Sequence, residues 1–357
     1  MSWFLAFAGF AALIVLHEAG HFCAAKAVGM KVEKFYLFFP PKLVARRRGE
    51  TEYGIGMIPL GGFVKISGMN PDEELPPEDA HRGYYAQPVW KRIVVIAAGP
   101  AVNLVIAFVI LYFLAFQAAD PDEGVVGPIE AGTPAAQVLE TGDRIVAVDG
   151  ERGDVTALRE QIASHECAGG SEEPGCVAAD PVEITVVRDG RELTVSARPR
   201  FDGEAGRPIM GFQYDPQPLD PGLVGAAGWS LDQMAYVTGK TLSVIGRIFE
   251  AEQREQISSV VGSYEVTRQA IEFSATQALY LIAIISLSLA LINLFPFLPL
   301  DGGHIFWSLV EKVRGRPVPF RVMERAGVLG FALVLMLFVI GLTNDIDRLT
   351  GEGFGVR

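Results

Sequence analysis

The chain has 357 residues, half of them hydrophobic, and a mean hydropathy of +0.30. Its formal net charge of −12 excludes the basic surface that nucleic-acid binding needs, so no nucleic-acid partner is expected. Three cysteines, Cys23, Cys167 and Cys176, are too few for a disulfide framework. What remains is a membrane protein with a sizeable polar portion, long enough for two or three structural units.

The first apolar segment covers residues 3–28, and Trp3 to Leu16 is almost wholly hydrophobic. About 20 residues cross the ~30 Å of a bilayer's hydrocarbon, so it is long enough to span. It lacks a basic leading region and is expected to be retained rather than cleaved. Within it stands His17-Glu18-Ala19-Gly20-His21. On a helix, positions i and i+4 share a face, so His17 and His21 can hold one metal ion between them, with Glu18 placed to take a proton from water. Ionisable groups at membrane depth cost ~2.5 kcal/mol or more each, and three in five residues need a reason such as a bound cation. The bland alternative is a pair of surface histidines on an ordinary helix.

A loop rich in Lys and Arg follows, ending in Arg46-Arg47-Arg48. Residues 49–68 alternate apolar side chains with paired glycines, Gly61-Gly62 among them, which predicts a β-hairpin or looped sheet. Its apolar side chains suit the edge of a membrane. Residues 70–88 are acidic and proline-rich and read as a surface loop. The second apolar run, Ile93 to Ala119, contains Gly99-Pro100-Ala101-Val102-Asn103. Pro100 is expected to kink the helix there. Asn103 is polar at membrane depth and suits either a helix–helix hydrogen bond or a substrate contact.

Residues 120–215 change character: Gly/Pro-rich and acidic stretches alternate with short β-like runs, as in a compact domain outside the membrane. An insertion at 165–180 carries Cys167 and Cys176, which either pair or remain free thiols. Over 223–274, Trp229, Met234, Val237, Leu242, Ile245, Ile248 and Phe249 recur at mostly helical spacing, predicting an amphipathic helix. The third apolar run, Ala278 to Leu300, ends in Pro296 and Pro299, where helix should break. Asp301 follows, and suits either the N-cap of the next helix or a third metal ligand; His304 is the alternative ligand. A fourth apolar run spans Ala326 to Leu342. Basic flanks after the first run, before the second, and between the third and fourth put those loops in the cytoplasm by the positive-inside rule.

These residues, together, resemble the site-2 protease family of intramembrane zinc metalloproteases, and most the bacterial regulator-of-sigma-E protease (RseP) type. The likeness rests on His17-Glu18-Ala19-Gly20-His21, on Tyr53-Gly-Ile-Gly-Met-Ile-Pro-Leu-Gly-Gly-Phe-Val-Lys65, on Gly99-Pro100-x-x-Asn103, and on Asn293 with Asp301-Gly302-Gly303. The stretch Ala131 to Gly150 is similar to a PDZ domain. One such unit is visible, where the sigma-E type has two. The second proline of the third-span motif falls one place late, while the Asn-to-Asp spacing is kept.

The resemblance implies a polytopic α-helical membrane protein with about four transmembrane helices, a membrane-associated β-loop and an inserted extracytoplasmic PDZ-like β-rich domain. The corresponding division is an N-terminal membrane core at 1–119, with the β-loop at 49–68, and a PDZ-like domain at 120–215. An amphipathic region at 216–274 and a C-terminal membrane core at 275–357 follow. It implies Zn2+ held by His17, His21 and Asp301, Glu18 as general base, and Asn103, Asn293, Gly61, Gly62 and Phe63 as substrate-binding residues. The implied activity is hydrolysis of peptide bonds in or near the transmembrane segment of single-span proteins, such as anti-sigma factors or remnant signal peptides. Partners would be those substrates, the lipid bilayer, and a peptide C-terminus at the PDZ-like domain. The place would be the cell membrane, with the active site towards the cytoplasm. A non-proteolytic metal-binding PDZ scaffold and a metal or proton transporter are the rival readings.

Overall fold

The structure is a computed structural model and describes every residue except 71–72, 121–122, 170–172, 204, 248–249, 251–253, 255–256, 352 and 354–357. The chain divides into two compact units, one of Met1–Ala115 with Leu223–Arg357 and the other of Phe116–Gly222.

In the first unit, four helices are long and apolar enough to cross a membrane. Helix α1 (Ser2–Ala27) carries no charged residue before His17, and its 26 residues extend ~39 Å at 1.5 Å each. Helix α2 (Val89–Ala115) continues through Pro100. Between them lie β1 (Val32–Arg48) and β2 (Thr51–Ile66), so the sheet begins at Val32, well before residue 49. The basic loop of the sequence reading is therefore strand. Both strands fold back on themselves. Residues 34–37 pair on one side with 52–55 and on the other with 62–65, and 42–48 pair with 51–56. The result is four antiparallel segments in the order 42–48, 51–56, 32–37, 62–66, with 62–66 at one edge. Phe22 of α1 stacks edge-on against Phe35 and against Tyr53, which fixes the sheet to the helix beside the His-Glu-His segment. The far end of the sheet leaves Leu43, Val44, Met57 and Ile58 exposed.

The second unit contains β3 (Ala119–Asp120), β4 (Val126–Ile129), β5 (Arg144–Val148), α3 (Val155–Ala163), β6 (Val182–Arg188) and β7 (Arg191–Ala197). It closes with β8 (Arg200–Asp202), β9 (Arg207–Ile209), β10 (Phe212–Tyr214) and β11 (Gln217–Pro218). The β6–β7 hairpin turns on Asp189-Gly190, both at positive φ, the conformation a two-residue turn needs. Val182, Ile184 and Val186 point from one face of β6 into the core, each contributing ~1.5–3 kcal/mol by burial. Helix α3 starts at Asp154, whose side chain accepts the Ala157 N–H at 2.8 Å, and buries Val155, Leu158 and Ile162. Cys167 and Cys176 are joined as a disulfide, their Cα atoms 6.0 Å apart.

The chain then returns to the first unit. The stretch read as one amphipathic segment is two helices, α4 (Gly222–Gly246) and α5 (Val260–Phe273); Ile248 and Phe249 lie outside the described residues. Helix α6 (Ala275–Asn293) is the third span, and 294–300 unwind around the prolines as expected. Helix α7 (Asp301–Arg314) begins with Asp301 in its first turn, Leu300 being the N-cap, and α8 (Phe320–Thr350) is the fourth span. Asp345 of α8 is fully buried. It accepts the Ser258 and Ser259 hydroxyls and the Ser259 and Gly262 N–H groups, and so caps α5 from another helix. Helix α5 in turn braces the start of α1: Arg268 lies over the Trp3 ring, and Tyr264 donates to the Trp3 carbonyl at 2.9 Å.

Candidate metal centre

His17 and His21 project from one face of α1, their rings edge-on with centroids 4.9 Å apart. The unwound segment after α6 brings Asp301 onto the same point. Nε2 of His17 and Nε2 of His21 are 3.3 Å apart, and each is 3.3 Å from Oδ2 of Asp301. Zinc–ligand bonds of 2.0–2.2 Å at tetrahedral angles put ligand atoms ~3.3–3.4 Å from one another, so this triangle has the size the ion requires. Among the described residues it is the one cluster of His, Cys, Asp and Glu donors able to hold a metal; His304 is not part of it. Asp301 Oδ2 is buried and makes no hydrogen bond, although two imidazole nitrogens face it. With both Nε2 atoms deprotonated, these three convergent acceptor atoms are what a cation satisfies.

Helix α2 supplies the surroundings of both rings. His21 Nδ1 donates to the Val95 carbonyl at 2.9 Å, which leaves its Nε2 lone pair free in the neutral ring. One turn on, Gly99 gives the rings their space: a Cβ there would lie 2.2 Å from His21 Nε2 and 2.9 Å from His17 Cε1. One turn further, Asn103 is 0% exposed and its Nδ2 stands 3.2 Å from His17 Nδ1. Its backbone carbonyl receives the Ser286 hydroxyl of α6 at 2.9 Å. The Val95 carbonyl has no signature in the sequence; Gly99 stands in a sequence motif, but its approach to the rings is visible only in the fold.

Glu18 lies one residue round α1 from His17, and its stem meets the β-sheet. A Cβ added to Gly62 would fall 2.1 Å from Glu18 Cγ. Gly62 pairs with Leu37, and the neighbouring Phe63 packs its ring against Tyr36 and Phe39. Gly61 adopts φ +153 at the entry to this edge segment. Asn293 ends α6, half-buried. The fold thus brings Gly62 to Glu18 and Asn103 to His17.

A family model described as Peptidase family M50 matches residues 5–337. The chain belongs to peptidase family M50. The M50 chain is 32% identical to the zinc metalloprotease Rip1 of Mycobacterium tuberculosis, over 93% of its own length and 94% of the relative's. It is 31% identical to a putative zinc metalloprotease of Clostridium perfringens, covering 94% and 96%. A putative zinc metalloprotease of Brucella suis is 29% identical, covering 94% and 92%. This M50 protein is therefore a zinc metalloendopeptidase of the site-2 protease family, its cofactor is Zn2+, and its apolar helices make it a multi-pass membrane protein.

Proposed function

We propose that His17, His21 and Asp301 hold the zinc, that Glu18 is the general base, and that the enzyme cleaves single-span membrane proteins within or beside their transmembrane segment. The observation that carries this is the buried 3.3 Å triangle of His17, His21 and Asp301, with a carboxylate next to it on the same helix. Bound zinc supplies Lewis-acid polarisation of the scissile carbonyl and a lower pKa for the attacking water. Glu18 takes the water's proton on its carboxylate and later delivers it to the leaving amine nitrogen.

A substrate helix must unwind first, because its amides are shielded and fully hydrogen-bonded. Segment 62–66 is a sheet edge with no further strand beside it among the described residues. Gly61, Gly62 and Phe63 on this edge receive the unwound substrate as an added strand, which sets its scissile bond beside Glu18. Asn293 holds the same extended segment from the end of α6. Substrates of this kind include anti-sigma factors and remnant signal peptides.

In the second unit, a groove between α3 and the β9–β10 segment is lined by Arg159, Ile162, Ile209, Met210 and Phe212. β10 pairs with β4 on one edge only. This supports a PDZ-like role in which the groove takes a peptide C-terminus. In this reading the protein sits in the cell membrane with this unit outside and the zinc towards the cytoplasm, which the basic loops support by the positive-inside rule. An intact Glu18 favours an enzyme over a scaffold, since a purely structural metal needs no base.

The test uses purified protein in detergent with a tagged single-span substrate. Glu18→Gln should keep its zinc and lose cleavage by roughly 10²–10⁴-fold. Cleavage that survives in this variant would remove Glu18 from its role. Zinc-loaded wild type that cleaves none of several truncated substrates would return the scaffold reading.

A further inference from the structure

Two histidines of the triangle need the same thing: a proton on Nδ1 and none on Nε2. His21 has a fixed acceptor for that proton in the Val95 carbonyl, at 2.9 Å. His17 meets the amide of Asn103 at the equivalent place, two turns along the same face of α2, at 3.2 Å. With Nδ2 turned to the ring, the amide donates to Nδ1 and holds the proton on Nε2, the tautomer that cannot ligate. In that placement Asn103 Oδ1 is also buried without any partner. A half-turn of the carboxamide exchanges two atoms of nearly equal size. It brings Oδ1 to Nδ1, where it accepts the proton that Nδ1 carries.

We propose that Asn103 is the positioning residue of His17: its amide oxygen accepts the Nδ1 proton and so holds Nε2 deprotonated for zinc. This rests on the assignment of His17 as a zinc ligand. Asn103 then does not touch substrate, in contrast to what the family resemblance implies. Its complete burial agrees, because the side chain offers no exposed surface to an extended peptide in this state. The Ser286 hydroxyl on the Asn103 carbonyl ties this point of α2 to α6, the helix that leads to Asp301.

The experiment measures zinc affinity of the full chain in detergent by competition with a chelator, and KM for a tagged single-span substrate at saturating zinc. Asn103→Leu should bind zinc 10–100-fold more weakly, the usual loss when a ligand's outer partner is removed, with KM unchanged. Asn103→Asp keeps an acceptor facing Nδ1 and should restore affinity to within a few-fold of wild type. Asn103→Leu with wild-type zinc affinity and a raised KM would overturn the proposal in favour of substrate contact. If Asn103→Leu does not fold, Asn103→Asp decides alone, because a tenfold or greater loss there would show that the amide's donor is what the site uses. Wild type that binds no zinc would instead remove the ligand assignment, and this inference with it.

Discussion

At the scale of single residues, the site is set by how closely backbone can approach it. Gly62 lies where a methyl group would enter Glu18, 2.1 Å from Cγ and 2.9 Å from Cδ. Neither is the tip of a long, free side chain, so Gly62→Ala must displace either the edge segment or the base. A misplacement of ~1 Å at a reacting group can cost on the order of 10²-fold in rate. Gly62→Ala should therefore lower kcat/KM by that order while retaining full zinc content, since no ligand touches Gly62. Wild-type cleavage by this variant would show that the contact relaxes freely. Much of this level was legible in the sequence. His17, Glu18 and His21 share one helical turn, so their relation is local and periodic. The acceptor for His21 was not legible, because it is the Val95 carbonyl, and every residue has one. Gly99 was noticed as part of a motif, but its reason lies in the crossing of α1 and α2.

At the scale of elements, the question is what holds Asp301 opposite the histidines. Asp301 opens α7, and α7 is clamped to α2 by Arg92 and Glu311. Arg92 is 3% exposed, its Nη1 and Nη2 reach the two Glu311 oxygens at 3.0 and 2.5 Å, and its guanidinium lies over Tyr85. Arg92 is buried and Glu311 half-buried, so removing Arg92 leaves a partly desolvated carboxylate unpaired and costs on the order of 1–3 kcal/mol, below the ~3–5 kcal/mol of a fully buried pair. Arg92→Leu should lose that stability to denaturant and weaken zinc binding as α7 shifts. The double variant Arg92→Leu/Glu311→Leu should recover most of the stability, because neither charge remains. A double variant no more stable than Arg92→Leu would mean that the pair is not coupled. The sequence showed Arg92 only as a basic flank of a span, and nothing in it singles out Glu311. Their 219-residue separation hid the pair. The β-sheet was half legible for a similar reason. Residues 49–68 alternate visibly, but in 32–48 the charges Lys34, Lys42 and Arg46–Arg48 obscure the strand pattern and suggest a basic loop. Edge strands commonly carry such charges to avoid pairing with other chains.

At the scale of the molecule, the proposed orientation rests on charge and helix length. The segment 28–88 and residues 312–325, where α7 passes into α8, hold the dense Lys and Arg clusters, and they follow α1 and α6 respectively. The rule counts basic residues near span ends, and a domain the size of residues 116–222 crosses whatever its charge. With four spans, α1, α2, α6 and α8, an inner position for both basic loops forces the second unit to the outer side. It also sets the depth of the metal site. His17 lies ten residues before the end of α1 at Ala27, ~15 Å from it, so in the proposed orientation the shorter route for water and the leaving peptide is the cytoplasmic one. Impermeant maleimide tests this arrangement. In a Cys23→Ser background, single cysteines at the exposed positions Glu78, Glu160 and Arg316 report on three segments. On intact cells Glu160→Cys should react, while Glu78→Cys and Arg316→Cys should react only after permeabilisation. Cys167 and Cys176, joined to each other, should give no background on the outer side. The reverse pattern would place the basic loops outside and bring the shorter water route to the metal site from the opposite face of the membrane. Reaction of Glu78→Cys and Arg316→Cys on opposite sides would break the pairing of α1 with α6 that brings Asp301 to the histidines.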